Sequence, residues 1–165
     1  EDVRLKKIAA SAMRMAQSGQ YNYARCMQRG DTVAADFALT EFVKAAITIT
    51  HQLNRCYTPY YKWMYRSLQD LPVLNNISVL IQELSETPLQ KAAWSSNTVS
   101  RFHNSAPNLS DKKVQLIEEI CRLIIEELEH QSLITKTDTY LGSYPLQIIQ
   151  KITDSELKSL HILIG

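Results

Sequence analysis

The sequence predicts an all-α protein, an up-and-down bundle of five to seven helices with a long loop over residues 85–110. Three observations carry that prediction. Apolar residues recur at spacings of three and four along most of the chain. No segment shows the strict alternation of a half-buried strand. The 165 residues include only four glycines and five prolines, too few for an all-β fold rich in tight turns. The length is that of one ordinary domain able to bury its own core, so residues 1–165 are read as a single helical domain.

Residues 3–29 read as the first helix, with Leu5, Ile8, Ala12, Met15, Ala16, Gly19, Tyr23 and Cys26 on one stripe. A mid-helix glycine costs about 1 kcal/mol relative to alanine. Gly19 therefore marks a close backbone approach or a break. Gly30 ends the helix at the position where glycine enters the left-handed region without a Cβ penalty. Asp31 caps a second helix over 31–56, whose stripe is Ala38, Phe42, Ala45, Ile49 and Leu53. So short a connection makes the pair an antiparallel αα-hairpin. Thr58-Pro59 starts a third helix to about residue 70, threonine as cap and proline at the first helical position. A short helix over 73–84 follows Pro72.

Residues 85–110 are rich in serine, threonine and asparagine and form the long loop, with a turn or two of helix around Leu89–Trp94. Ser110 or Asp111 opens a helix to about 134, with Val114, Ile117, Cys121, Ile124 and Leu128 on its apolar stripe. Glu118 and Arg122 are spaced for an i,i+4 ion pair. Tyr144-Pro145 begins another short helix, and Thr153-Asp154-Ser155-Glu156 is a capping box for the last.

Formal charge is +1, against the footprint of a nucleic-acid-binding protein. The distribution is uneven. Residues 1–66 hold ten Lys/Arg against five Asp/Glu, and residues 67–165 hold eight against twelve. The basic half can face an anion, or both halves can be ordinary solvated surface. Three cysteines without a CxxC pair point to buried thiols in a reducing, cytoplasmic compartment. No apolar run is long enough to span a bilayer, and no secretory signal is visible.

Catalytic and metal motifs are lacking. His51, His103, His130 and His161 are scattered, with no HExxH. There is no GxSxG, Walker loop or GxGxxG. The pairs Glu118-Glu119 and Glu126-Glu127 read as a solvated helix face. No catalytic residue, metal ligand or resident cofactor is assigned to this chain.

The dense feature is aromatic and basic. Six of the eight tyrosines lie between residues 21 and 65 with Trp63, interleaved with arginine and lysine. Tyr21, Tyr23, Arg25 and Arg29 form one stretch; Tyr60, Tyr61, Lys62, Trp63 and Arg66 form another. Guanidinium groups bind phosphate bidentately, and tyrosine offers a π-face to a base. Equally, the aromatic rings can fill the core while the basic groups cover it. The stretches are about 40 Å apart along an unbroken helix at 1.5 Å per residue, so one shared pocket needs a bend or a short helix folding back.

The stretches MAQSGQYNYARCMQRGD (15–31) and LNRCYTPYYKWMYRSLQDLP (53–72), with the closing ITDSELKSLHILIG, resemble a bacterial family of unknown function. That domain typically follows a nucleotidyltransferase domain. The resemblance implies that the catalytic carboxylates, the Mg²⁺ ions and the glycine-serine turn belong to an N-terminal partner domain in cis. It further implies that this chain, which begins at Glu1, is the C-terminal part of a longer two-domain protein. By analogy with other such helical companions, it would position nucleotide or acceptor, and the nine residues above are its candidate ligand-binding set. The alternative is a ligand-free interaction or homodimerising bundle, motivated by the 114–128 stripe and the 85–110 loop.

Overall fold

The computed structural model describes residues 1–94 and 107–164. It is all-helical, as the periodicity requires. The first rod is α1 (Asp2–Met15), a π-helical segment (Ala16–Tyr23) and α2 (Ala24–Gln28) in unbroken succession. Every residue of its expected apolar stripe is buried, Gly19 included. Gly19 does not break the rod. It admits the ring of Phe42, since a Cβ there would stand 2.3 Å from Phe42 Cδ2. Gly30 takes φ +73° and turns the chain.

The second rod, α3 (Thr32–Leu53), is capped by Asp31, whose carboxylate accepts the Ala34 N–H at 3.0 Å. It returns along α1 as the expected hairpin, and both helices carry fully buried alanines, Ala9 and Ala12 on α1 and Ala35 and Ala46 on α3. Arg4 ties the far end by donating to the Gln52 carbonyl at 3.1 Å.

The third helix begins later than expected. α4 runs Tyr61–Gln69, and Tyr60 at its cap position is extended (ψ 146°) with no capping side chain. Thr58, expected as the cap, instead buries its Oγ1 without a hydrogen-bond partner. Pro59 disfavours helical geometry at the residue before it, and the extended backbone persists through Tyr60. α5 (Ile77–Glu86) also starts late. Leu74 adopts φ +62°, and the Asn54 side chain grips both the N–H and the carbonyl of Val73 at 2.9 Å, holding that stretch as a turn. Beyond α5, where a turn or two of helix is expected around Leu89–Trp94, a 3₁₀ turn forms at Lys91–Trp94. Residues 95–106 of the expected 85–110 loop, with Arg101 and His103, lie outside the described residues.

α6 (Lys112–His130) closes the bundle, capped by Asp111 on the Lys113 N–H at 2.8 Å. Its stripe Val114, Ile117, Cys121, Ile124 and Leu128 is buried against the first two rods and α5. The expected Glu118–Arg122 pair is not formed. Arg122 bonds Glu119 and Glu126 at 2.6 Å each, while Glu118, half-buried, accepts from Gln20 of the π segment at 2.8 Å. A 3₁₀ turn (Leu141–Ser143), α7 (Pro145–Gln150) and α8 (Ser155–Ser159) complete the chain. With the first rod taken as one, seven α-helical units are present among the described residues. Cys26 and Cys121 are buried free thiols as expected, whereas Cys56 is exposed.

The last helix is capped one residue later than the capping box implied. Asp154 accepts from Leu157 N–H at 2.9 Å, and Thr153 is drawn away to the other terminus. The Asp2 carboxylate accepts from Thr153 Oγ1 (2.7 Å), Thr153 N–H (3.0 Å) and Asp154 N–H (2.7 Å). These bonds, the Thr153 hydroxyl first, hold the Asp2 carboxyl below its usual range. A depressed carboxylate pKa stabilises the fold above the unfolded value and loses that contribution as pH falls through the folded value. The contact between the chain ends should therefore loosen below about pH 4. Relative to the intrinsic exchange rate at each pH, amide protection at Thr153 and Asp154 should fall in acid ahead of the core, and Asp2→Asn should remove that difference.

Candidate functional site

The sequence singles out two groups of aromatic and basic residues, and the structure gives them different surroundings. In the first, Tyr23 is fully buried, and its hydroxyl meets Asp111 Oδ2 at 3.0 Å. Burial, then the Asp111 charge, pushes its phenol pKa upward. Its ring stands edge-on to Trp94 with centroids 6.5 Å apart. Tyr23 is a core residue and offers no face to a ligand. Tyr21 lies at the surface, where Arg25 covers its ring at 4.3 Å and donates to its hydroxyl. Arg29 is exposed and reaches back to Cys26 Sγ at 3.7 Å.

The second group is on and before α4. Met64 and Leu68, four apart, turn inward and fix the opposite face outward. Tyr60, Tyr61 and Trp63 are 67%, 65% and 64% exposed, and the two tyrosine rings meet at 4.5 Å. Lys62 and Arg66 are exposed and make no hydrogen bond or ion pair among the described residues. Tyr57, just upstream, is exposed beside Lys7, whose Nζ lies 6.0 Å from its ring centre.

The short helix does fold back: α4 packs on α3 and α5. His51 of α3, buried, bonds the Ile47 carbonyl at 2.8 Å and Ser67 Oγ at 3.0 Å, anchoring α4. This brings α4 to α3 rather than to the Tyr21–Arg29 end of the first rod. The nine residues thus divide into a buried tyrosine, a surface trio at the first turn, and an exposed five-residue face around α4.

The fold-back also opens a cleft of about 500 Å³ between α3, α4 and the α5–α6 junction. Leu39, Val43 and Met64 give it an apolar floor, and Tyr61 and Tyr65 flank it. Tyr65 is fixed by its hydroxyl on the Ser78 carbonyl (3.2 Å) and Gln82 (3.1 Å). Asp36, Lys44 and Lys113 bring charge to its walls. Lys113 is buried, and that burial lowers its pKa, while Asp36 and Asp111 act in the opposite direction. None of these three charged residues was singled out from the sequence. A signal for Lys113 was present: it lies four residues before Ile117 and seven before Ile120, in phase with the buried face of α6.

Among the described residues, no group of three or more His, Cys, Asp or Glu could hold a metal ion. No helix of the described residues is long and apolar enough to cross a membrane.

A family model described as a domain of unknown function (DUF4037) matches residues 1–64. That span covers the helical hairpin and runs into α4 as far as Met64, including eight of the nine candidate residues and leaving out Arg66. No curated protein and no solved structure matches the chain.

Proposed function

We propose that this chain is a non-catalytic helical companion of a nucleotidyltransferase domain, positioning nucleotide or acceptor substrate through its aromatic and basic surface. One observation carries the reading: the outward face of α4 presents Tyr60, Tyr61 and Trp63 to solvent beside the unpartnered cations Lys62 and Arg66. Leaving an indole and two phenols exposed forgoes burial worth about 1.5–3 kcal/mol per large apolar side chain. Such a face suits a base stacked on an aromatic ring and a phosphate held by a guanidinium. The resemblance of residues 15–31 and 53–72 to a nucleotidyltransferase-associated bacterial family supports it. In this reading Mg²⁺ and the bond-making carboxylates belong to the partner domain in cis, in the cytoplasm. Positioning is a large part of what phosphoryl-type transfer takes from protein.

The test uses the parent polypeptide, titrated with nucleoside triphosphate and Mg²⁺. Trp63→Ala and Arg66→Ala should each weaken nucleotide binding or turnover by about tenfold, the loss of one charge-assisted or stacking contact. Melting temperature should hold, because both side chains are exposed. A parent that neither binds nor transfers, or variants that match it, would end this reading.

A second reading, an interaction or dimerising module, has its own observation. Val33 and Phe37, one turn apart on α3, are 64% and 70% exposed. The α6 stripe does not serve that reading, because it is buried within the chain. Sedimentation of the chain and of Phe37→Glu distinguishes the two: a dimer that the substitution dissociates favours the interaction module.

A further inference from the structure

Lys113 is 5% exposed, and its Nζ donates to the Leu84 carbonyl at 2.5 Å. An ammonium has three donors. Among the described residues no second acceptor is found, and neither Asp36 nor Asp111 forms an ion pair with it. Asp111 is already engaged: Tyr23, Trp94 and the Lys113 N–H occupy its two oxygens. The charges of Asp36 and Asp111 offset part of the cost of burying this cation without bonding it, and an anionic oxygen within bonding reach of Nζ would offset more.

The position is not closed off. Lys113 lines the cleft described above, whose volume of about 500 Å³ lies within the range of small-molecule sites. The other walls narrow the ligand class. Leu39, Val43 and Met64 ask for an apolar body, and the exposed ring of Tyr61 gives a flat one something to lie against. Lys44 and Asp36 stand at the rim with no side-chain partner among the described residues. The three lining charges sum to one positive, and the Asp111 charge that also acts on Lys113 lowers this further, which favours a monoanion over a dianion. A dianionic phosphate would carry surplus negative charge toward Asp36.

We propose that this cleft binds a small carboxylate with a flat apolar body, its carboxylate oxygens accepting from Lys113 Nζ and its body seated on Leu39, Val43 and Met64 beside Tyr61. The site shares Tyr61 with the face proposed for nucleotide but needs neither a nucleotide nor the partner domain, so Lys113 and Val43 variants test it separately.

Calorimetric titration of the chain with 3-phenylpropionate, 3-phenylpropanol and phenethylamine at one ionic strength tests it. The acid should bind about tenfold or more tighter than the isosteric alcohol, and the amine more weakly still, as a charge-assisted contact implies. Lys113→Met removes the charge but keeps an apolar stem, and should erase the preference for acid over alcohol. Val43→Trp fills the floor and should abolish binding of both while Lys113 remains. The second variant carries the test if Lys113→Met does not fold. Lys151→Met, at the residue after α7 and not in the lining of the cleft, should bind like the unsubstituted chain. Equal affinity for acid and alcohol overturns the proposal, as does undiminished binding by a folded Lys113→Met or by Val43→Trp. So does the absence of saturable binding of the acid up to about 5 mM, beyond the weak end of specific affinity.

Discussion

Asp111→Ala should cost about 3–5 kcal/mol of stability, the range for breaking a buried charged network by removing one partner. The carboxylate is fully buried. Oδ2 accepts the Tyr23 hydroxyl at 3.0 Å and the Trp94 indole N–H at 2.7 Å, and Oδ1 caps α6 on the Lys113 N–H at 2.8 Å. Alanine leaves all three donors unpaired, each at about 1–3 kcal/mol before relaxation. It also removes a negative charge whose field favours the buried Lys113 ammonium. Asparagine should fall between, because its amide places an N–H opposite one of the three donors. Tyr23→Phe, which deletes one donor, should cost about 1 kcal/mol. The combination with Asp111→Ala should be less destabilising than the sum. Chemical denaturation reads all four. Trp94 fluorescence in a Trp63→Phe background should report the loss locally, since Trp94 is buried and Trp63 is 64% exposed. A loss below about 1 kcal/mol for Asp111→Ala would mean that solvent already satisfies the network.

That network also marks where reading the sequence stops. Each of its parts is visible locally: Asp111 as a cap, Tyr23 on the stripe of the first rod, Trp94 in the short turn. Their meeting spans 88 residues between Tyr23 and Asp111 and has no periodic signal. What did carry over is short-range. The stripe from Leu5 to Cys26 is buried in full, Gly30 has its left-handed φ, and Asp31 caps α3, because spacing and capping depend only on neighbours three or four residues away. The shifts occur where a distant group competes. Glu118 leaves Arg122 for Gln20, Thr153 leaves its helix for Asp2, and Asn54 holds Val73 in a turn. The candidate site divides the same way. The outward face of α4 was legible once Met64 and Leu68 are seen as its inward pair. Tyr23 lies on the apolar stripe and Tyr21 off it, so helical period separates the buried ring from the surface one where composition alone groups them. The cleft needed α3, α4 and α6 in place before Asp36, Lys44 and Lys113 could be seen to face one space.

Gly19→Ala should destabilise the protein by about 1–3 kcal/mol although alanine is the better helix former. Propensity favours the substitution by about 1 kcal/mol. Packing opposes it more strongly. The added Cβ would stand 2.3 Å from Phe42 Cδ2, 2.7 Å from Phe42 Cε2 and 3.0 Å from Ile117 Cγ2. Phe42 and Ile117 are both fully buried, so neither can swing into solvent. The ring, the π-helical backbone or the spacing of the two rods must therefore shift. Valine at the same position should cost more than alanine, since its two further carbons enter the same gap. The decisive measurement is the double variant with Phe42→Leu. Alone, Phe42→Leu empties space and should destabilise. Together with Gly19→Ala the vacated ring volume receives the new methyl, and the pair should be more stable than the two losses added, with a coupling of about 0.5–3 kcal/mol. Simple additivity would show that the π-helical segment absorbs the methyl by shifting its own backbone. Gly19 would then be explained by helix geometry rather than by Phe42.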